Sequence, residues 1–287
     1  MEIYRIKRMN LRSLRYKVEY IIFLIFSYII PTLPRRGAIF IGKILGRAGY
    51  YILSQRNKIA LINLNMVFKD SKSLIEKKRI IKNSFKNLAV GFLDLLWFNR
   101  GREKNIKEII ETDREGIELV RKAFDRGRGV LFLISHFGNW EIMAIYHGYL
   151  NFTPLNSIVV RRLDNPYLDK WINHHRCISG NKIIYKHNAS KEILKALRRN
   201  EGVAISFDQN TAKGGIFVNL FGLPAATTRS IATFALITGA PIIPATCYPL
   251  EGGRYKIVYG PEIVFNGSGN RKRDIHTLTQ ICNDFIE

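Results

Sequence analysis

Residues 129–150, GVLFLISHFGNWEIMAIYHGYL, hold the pattern from which the fold class follows. Gly129–Ile134 is a short, wholly apolar run, the pattern of a strand buried on both faces. Ser135-His136-Phe137-Gly138 reads as a glycine-bearing turn, and Asn139–Leu150 as a helix. A buried strand that feeds a helix in this way is the repeating unit of a parallel α/β sheet. The unit recurs along the chain. TDREGIELVRKAFDRGRG (112–129) reads as a capped helix that stops at glycine. NSIVV (156–160) and GVAISF (202–207) read as strands. NPYLDKWINHHR (165–176) opens with proline at the first helical position, and KEILKALRR (191–199) is a second helix. TTRSIATFALITG (227–239) is a helix with Gly239 as its stop. PIIPATCY (241–248) and RYKIVYG (254–260) flank Glu251-Gly252-Gly253 as a hairpin, and Arg273–Glu287 is helical. No internal repeat or low-complexity segment is present. The expected fold class is α/β: a helical N-terminal region, then a mostly parallel central sheet flanked by helices, with a late antiparallel hairpin.

Upstream of residue 112 the texture is helical. Apolar residues recur at helical spacing in GAIFIGKILGRAGYYIL (37–53) and IIKNSFKNLAVGFLDLLW (80–97), with Asp70-Ser71 as the loop and cap between them. At the start, Arg5, Lys7, Arg8, Arg12, Arg15 and Lys17 face only Glu2 and Glu19. An apolar run, Tyr20–Leu33, follows, and then Arg35 and Arg36. As a helix that run spans roughly 21 Å, short of the ~30 Å hydrocarbon core, and Pro31 is expected to end it. Residues 1–36 are therefore read as a basic membrane anchor, interfacial or short-spanning, without a signal-peptide cleavage site. Residues 37–287 form one domain, helical over 37–111 and α/β over 112–287.

The net charge of +22 in 287 residues, with a pI near 10.1, points to anionic partners: nucleic acid, anionic lipid, a phosphorylated substrate or an acidic carrier protein. Cys177, Cys247 and Cys282 make neither a disulfide framework nor a C-x-x-C pair; core filler in a reducing compartment is the expected role. There is no H-E-x-x-H, G-x-S-x-G, G-x-x-x-x-G-K-[ST] or G-x-G-x-x-G, so zinc, a serine acyl-enzyme and nucleotide chemistry have no support.

Ligands in open α/β sheets lie beyond the carboxyl ends of the strands. Three such ends carry polar residues: His136 after the first strand, Arg161-Arg162 after the second, and Asp208-Gln209-Asn210 after the third. If those strands are parallel neighbours, His136, Arg161 and Asp208 converge. Glu141, in the first turn of the following helix, is placed to accept one ring N–H of His136 and leave the other nitrogen as a base. Arg161 is a candidate for neutralising a phosphate or an oxyanion, and Asp208 for binding substrate. Phe217, Leu220, Phe221 and Gly222 are candidates for an apolar channel, although core packing suits each one individually. His174 and His175 do not converge on one metal, and His147 and His187 are read as packing or surface residues.

Ser135-His136-Phe137-Gly138-Asn139-Trp140-Glu141 resembles the His-x4-acid block of the lipid A biosynthesis (late) acyltransferase family, within the lysophospholipid-acyltransferase-like superfamily. Further blocks follow in order: Asn63-Leu64 and Phe68; Arg161, Asn165, Pro166 and Asp169; Asp208-Gln209; Phe217-Val218, Phe221-Gly222, Pro224-Ala225 and Thr227-Thr228; and Gly239-Ala240-Pro241 with Pro244. Together they cover about residues 20–265. Arg162 and Phe207 stand where the family usually has proline. Members commonly close on a Pro-Glu-Gln-Trp-like segment, whereas this sequence ends on Asp284-Phe285-Ile286-Glu287; the resemblance implies a shortened chain.

The resemblance implies transfer of a fatty acyl group from an acyl carrier protein thioester to a hydroxyl of a membrane glycolipid, a lipid A precursor or its like. His136 would deprotonate the hydroxyl and Glu141 would orient it. Arg161, Asp208, Gln209 and Asn139 would bind substrate. No metal or organic cofactor is required. The place implied is the anionic cytoplasmic face of a bacterial inner membrane. Two alternatives stand beside this: a mannoside or ornithine lipid as acceptor, and, from another class, a basic nucleic-acid-binding protein. Against the last, the aromatic residues sit in apolar runs rather than among Lys and Arg, and no nucleic-acid motif is present; nucleic acid is therefore not expected as a partner.

Overall fold

A computed structural model describes residues 2–98, 102–150, 154, 156–211 and 214–287; for residues 2–11 and 102 only the backbone is described. The side chains of Arg5, Lys7 and Arg8 in the expected anchor therefore lie outside the described residues.

The N-terminal part is a helical layer: α1 (Glu2–Ile29), a 3-10 turn (Ile30–Thr32), α2 (Arg35–Ile52), α3 (Ser54–Phe68) and α4 (Leu74–Trp97). Pro31, which has no N–H to donate, sits in the turn that ends α1, as expected. On α1, Tyr16, Phe23 and Ser27 face inward, and Ile30 continues that stripe into the turn. Leu14, Val18, Ile21, Ile22, Ile25 and Phe26 stay exposed. The apolar run is thus two-sided, with one face packed and the other bare. Among the described residues no helix is long and apolar enough to cross a membrane. The cap of α4 is Ser73 rather than Ser71. Ser73 Oγ accepts from Glu76 N–H and Glu76 Oε2 accepts from Ser73 N–H, a capping box, while the Ser71 hydroxyl turns back to Phe68 O. Helices α2 and α4 touch backbone to backbone at Gly46, where a Cβ would meet Lys86 Cα at 2.5 Å.

After this layer come α5 (Arg102–Ile109), β1 (Ile110–Thr112), α6 (Arg114–Asp125), β2 (Val130–Gly138), α7 (Trp140–Gly148), β3 (Asn156–Val160), α8 (Pro166–Arg176) and β4 (Lys182–Tyr185). Then follow α9 (Ser190–Arg198), β5 (Gly202–Ser206), β6 (Ile216–Leu220), β7 (Leu223–Thr227), α10 (Ser230–Thr238), β8 (Ile242–Pro249), β9 (Tyr255–Tyr259) and α11 (Arg271–Ile286). Seven strands form one sheet in the order β1-β9-β8-β2-β5-β3-β4. All its neighbours are parallel except β8 and β9, the late hairpin.

Strand alternation divides the core between the two faces of the sheet. Phe132 and Ile134 of β2 join Phe124, Ile142 and Tyr146 on one side. Leu131 and Leu133 join Ile193, Leu197, Ile231 and Leu278 on the other. Cys247 and Cys282 are buried filler, and burial pushes both thiols up to about 12. Three features were not expected from the sequence: the edge strands β1 and β4, and the separate β6–β7 hairpin, which delays the start of α10 to Ser230.

Candidate active site

Strand order decides which polar ends meet. β5 lies directly beside β2, with Ile134 opposite Ser206. Phe207 N–H then donates to Ile134 O at 3.0 Å and carries the ladder one residue further. A proline at 207 could not make that bond. His136 and Asp208 each lie two residues beyond the aligned pair, and they meet. His136 Nδ1 is 2.7 Å from Asp208 Oδ1, and Asp208 Oδ2 accepts the His136 backbone N–H, also at 2.7 Å. A carboxylate only accepts, so Nδ1 carries the ring proton and the lone pair is on Nε2. Burial works against the charge on Asp208, but hydrogen bonds from the His136 ring and backbone outweigh it and hold the carboxyl below its ordinary value. Gln209 Nε2 stands 3.5 Å from His136 Nε2, beyond a firm hydrogen bond. The Trp140 ring packs edge-on to the imidazole, centroids 5.0 Å apart.

His136 is not in a loop, as the sequence suggests, but on an irregular end of β2. The pairing with β8 shifts between Ile134 and Gly138, and Gly138 then pairs with Cys247. Gly138 has φ 63°, and a Cβ there would fall 1.7 Å from Cys247 O. Only glycine fits this crossing.

The expected hydrogen bond from the His136 ring to Glu141 is not made. Both carboxylate oxygens of Glu141 are taken by Arg176 of α8, at 2.8 Å from Nε and 2.5 Å from the terminal nitrogen. The pair is largely buried, 18% and 14% exposed. Burial works against the Arg176 charge, and the Glu141 contacts outweigh it and raise its pKa. Asp208 takes the orienting place read for Glu141, because β5 delivers a carboxylate along the strand direction while α7 turns residue 141 toward α8.

Arg161 does not converge on His136. β5 lies between β3 and β2, and the Arg161 side chain is 77% exposed, with Asp164 at 3.4 Å. Arg162 lies over the Tyr185 ring. Asn139 is nearly fully buried and both its polar groups are used. Its oxygen caps α7 by accepting from Ile142 N–H, and its amide donates to Asp94 at 3.2 Å. It is a scaffold residue rather than an open substrate contact. Asn165 caps α8 and also donates to the Tyr16 carbonyl of α1, and Asp169 accepts from Leu163 N–H and Tyr185 OH. Phe217 and Phe221 are exposed on the β6–β7 hairpin, and neither packs in the core.

Asp94 carries no local sequence signal. This buried carboxylate accepts from Arg35 Nη1 (2.8 Å), Tyr255 OH (2.5 Å) and Asn139. Burial pushes its carboxyl upward against those donors. It fastens α2, α4, β9 and the start of α7 together. Between α4, α7 and α8 lies an apolar pocket of about 190 Å³, lined by residues including Leu88, Phe92, Leu95, Trp140 and Ile172, with the Glu141–Arg176 pair in its wall. It abuts Trp140, whose ring packs against His136. Among the described residues no cluster of His, Cys, Asp and Glu is arranged to hold a metal ion.

The profile of one family, bacterial lipid A biosynthesis acyltransferase, matches residues 6–287. The lipid A biosynthesis palmitoleoyltransferase of Escherichia coli (strain K12) is 25% identical over 236 residues, which is 80% of this chain and 74% of that one. The lipid A biosynthesis acyltransferase of Shigella flexneri matches to the same extent. The phosphatidylinositol mannoside acyltransferase of Mycolicibacterium smegmatis is 23% identical over 178 residues, 61% of this chain and 56% of that one.

Proposed function

The chain belongs to the bacterial lipid A biosynthesis acyltransferase family, and from that premise we propose that it transfers a fatty acyl group from an acyl carrier protein thioester to a hydroxyl of a lipid A precursor or a closely similar glycolipid. The observation that carries the reading is the 2.7 Å contact between His136 Nδ1 and Asp208 Oδ1, which turns a basic Nε2 outward at a sheet end beside an apolar pocket. His136 Nε2 takes the proton of the acceptor hydroxyl as its oxygen attacks the thioester carbonyl. Asp208 holds the imidazole and stabilises its cation. The C–S bond breaks, the proton passes from Nε2 to the leaving thiolate, and the ester remains on the acceptor. The apolar pocket receives part of the acyl chain. Arg161, exposed at the end of β3, meets an anionic group from the solvent side.

The donor and the membrane follow from charge and from exposed apolar surface. A chain of net charge +22 suits an acidic carrier protein and an anionic lipid surface. α1 exposes its bare apolar face and α2 exposes Phe40, Ile44 and Leu45, apolar surface suited to lying in the headgroup region of the inner membrane, on its cytoplasmic side. The mannoside acyltransferase relative supports a second reading of the acceptor as a mannoside lipid.

The test is mass spectrometry of membrane lipids from cells with and without the gene, joined to transfer assays with an acyl carrier thioester. An added acyl chain on a lipid A precursor supports the proposal. An added chain on a mannoside alone selects the second reading, and no acylated glycolipid in either assay rejects both.

A further inference from the structure

A second concavity runs from the helical layer to the catalytic strand. It is an open groove of about 1040 Å³ between α2, α4 and the turn joining β8 to β9, and it ends at Gly138, two residues from His136. Its volume is at the upper end of the usual range for small-molecule sites. Its walls carry Arg36 and Lys43 from α2, Lys86 from α4 and Arg254 from the turn, against Glu251 alone. Arg254 is engaged by Glu111 at 2.6 Å. No carboxylate among the described residues lies within 4 Å of Arg36, Lys43 or Lys86 in an ion pair. Between these cations the lining is mostly apolar, with Ile39, Phe40 and Val90 beside the amides of Asn83 and Asn87.

The groove is held in shape from below. Arg35, clamped on Asp94, also donates to Gly253 O at 2.5 Å, and this pins the β8–β9 turn to α2. A Cβ on Gly253 would meet Ile39 Cδ1 at 2.3 Å, so turn and helix are in direct contact. Cations held apart over apolar lining match an amphiphile with an anionic head. The outer lip, at Phe40, joins the bare apolar surface of α2.

We propose that this groove binds the phosphate-bearing head of the lipid acceptor, with Arg36, Lys43 and Lys86 as the anion contacts. This rests on the acyltransferase reading above and adds the place where the acceptor is recognised. With the head seated there, the acceptor enters from the membrane side along α2 and presents its hydroxyl at the Gly138 end, toward His136 Nε2.

The test uses the full chain carrying Lys43→Glu with Lys86→Glu, and a matched charge control, Arg271→Glu with Lys272→Glu on the exposed start of α11. Transfer is measured with a phosphorylated glycolipid and with the same glycolipid after phosphatase treatment. The groove variant is expected to raise KM for the phosphorylated acceptor by ~10–100-fold, the scale of one lost charge-assisted contact, with kcat and the donor KM kept. KM for the dephosphorylated acceptor is expected to be unchanged, and the control to behave as wild type. An equal change with both acceptors overturns the proposal, and so does a rise in the donor KM instead, which would give the groove to the acyl donor. A parallel arm measures binding to phosphatidylcholine vesicles doped with the phosphorylated glycolipid, using His136→Ala protein with and without the groove substitutions. Loss of binding on substitution supports the groove even if the chain transfers no acyl group, so failure of the site and failure of the acyltransferase reading give different results.

Discussion

His136 and Asp208 are 72 positions apart in the chain, and the sheet brings Nδ1 and Oδ1 to 2.7 Å. The contact exists because β2 and β5 are parallel neighbours in a register that sets positions 136 and 208 at the same level, each two residues past the Ile134–Ser206 pair. It fixes the tautomer, and so the face from which the imidazole can take a proton.

His136→Ala should lose transfer by ~10²–10⁴-fold, the usual cost of removing a general base. Asp208→Asn should lose a comparable amount, because the amide can donate to Nδ1 and favour the wrong tautomer. The double variant should be little worse than His136→Ala, since residues acting as one unit are not additive. Single-turnover rates with folded protein check this; effects that multiply would separate the two residues.

Glu141→Gln should behave differently. It leaves the imidazole partner in place and weakens the tie between α7 and α8, so its main effect is on stability, a loss of about 1–3 kcal/mol from a poorly satisfied, largely buried guanidinium. Urea denaturation set beside kcat separates the outcomes. A kcat loss matching that of His136→Ala at unchanged stability would return Glu141 to the reacting centre.

Asp94→Leu should destabilise by about 3–5 kcal/mol, because it strands the Arg35 guanidinium in a buried site and removes the acceptor of Tyr255 and Asn139. The loss should be visible as a lower urea midpoint. An unchanged midpoint would mean that water replaces the carboxylate without cost.

His147 makes stability depend on pH. It is buried against Phe132, bonded to Tyr259 OH at 2.7 Å, and burial lowers its pKa to about 4, partly opposed by Asn156. The unfolded chain binds this proton near pH 6.5, so between pH 6.5 and about 4 the unfolded state is the more protonated. Stability is full above pH 6.5 and falls with acidity through that window, by on the order of 3 kcal/mol from this residue. In His147→Gln the slope of the urea midpoint between pH 6.5 and 5 should flatten; a slope identical to wild type would remove His147 as its source.

Much of the fold was legible because its periods are clear. The 129–134 run, the Pro166 helix start and the Gly239 stop lie where pattern and chain stiffness place them. β4, only four residues long, and β1, only three, carry too little pattern to separate from loop, and they are strands because an edge was open to them. Within the site, the strand-end position of His136 and Asp208 was legible. Their pairing was not, because it depends on which strand lies beside β2. Glu141 shows the limit from the other side: its spacing from His136 is right for a dyad, and its real partner, Arg176, is 35 residues away on a helix whose packing no local pattern reports. Asp94 was missed for the same reason, as its donors come from three separate elements.

The bond from Tyr255 to Asp94 spans 161 positions, and synthesis turns that separation into a delay. At about 5–20 residues per second, a ribosome makes Asp94 on the order of 10–30 s before Tyr255 exists. During that interval α1–α4 have left the ribosome without the strand that seals them to the sheet, and their apolar faces are available to whatever surface is nearest. On the membrane reading proposed above, that surface is lipid, and the sheet is assembled afterwards against helices already held there.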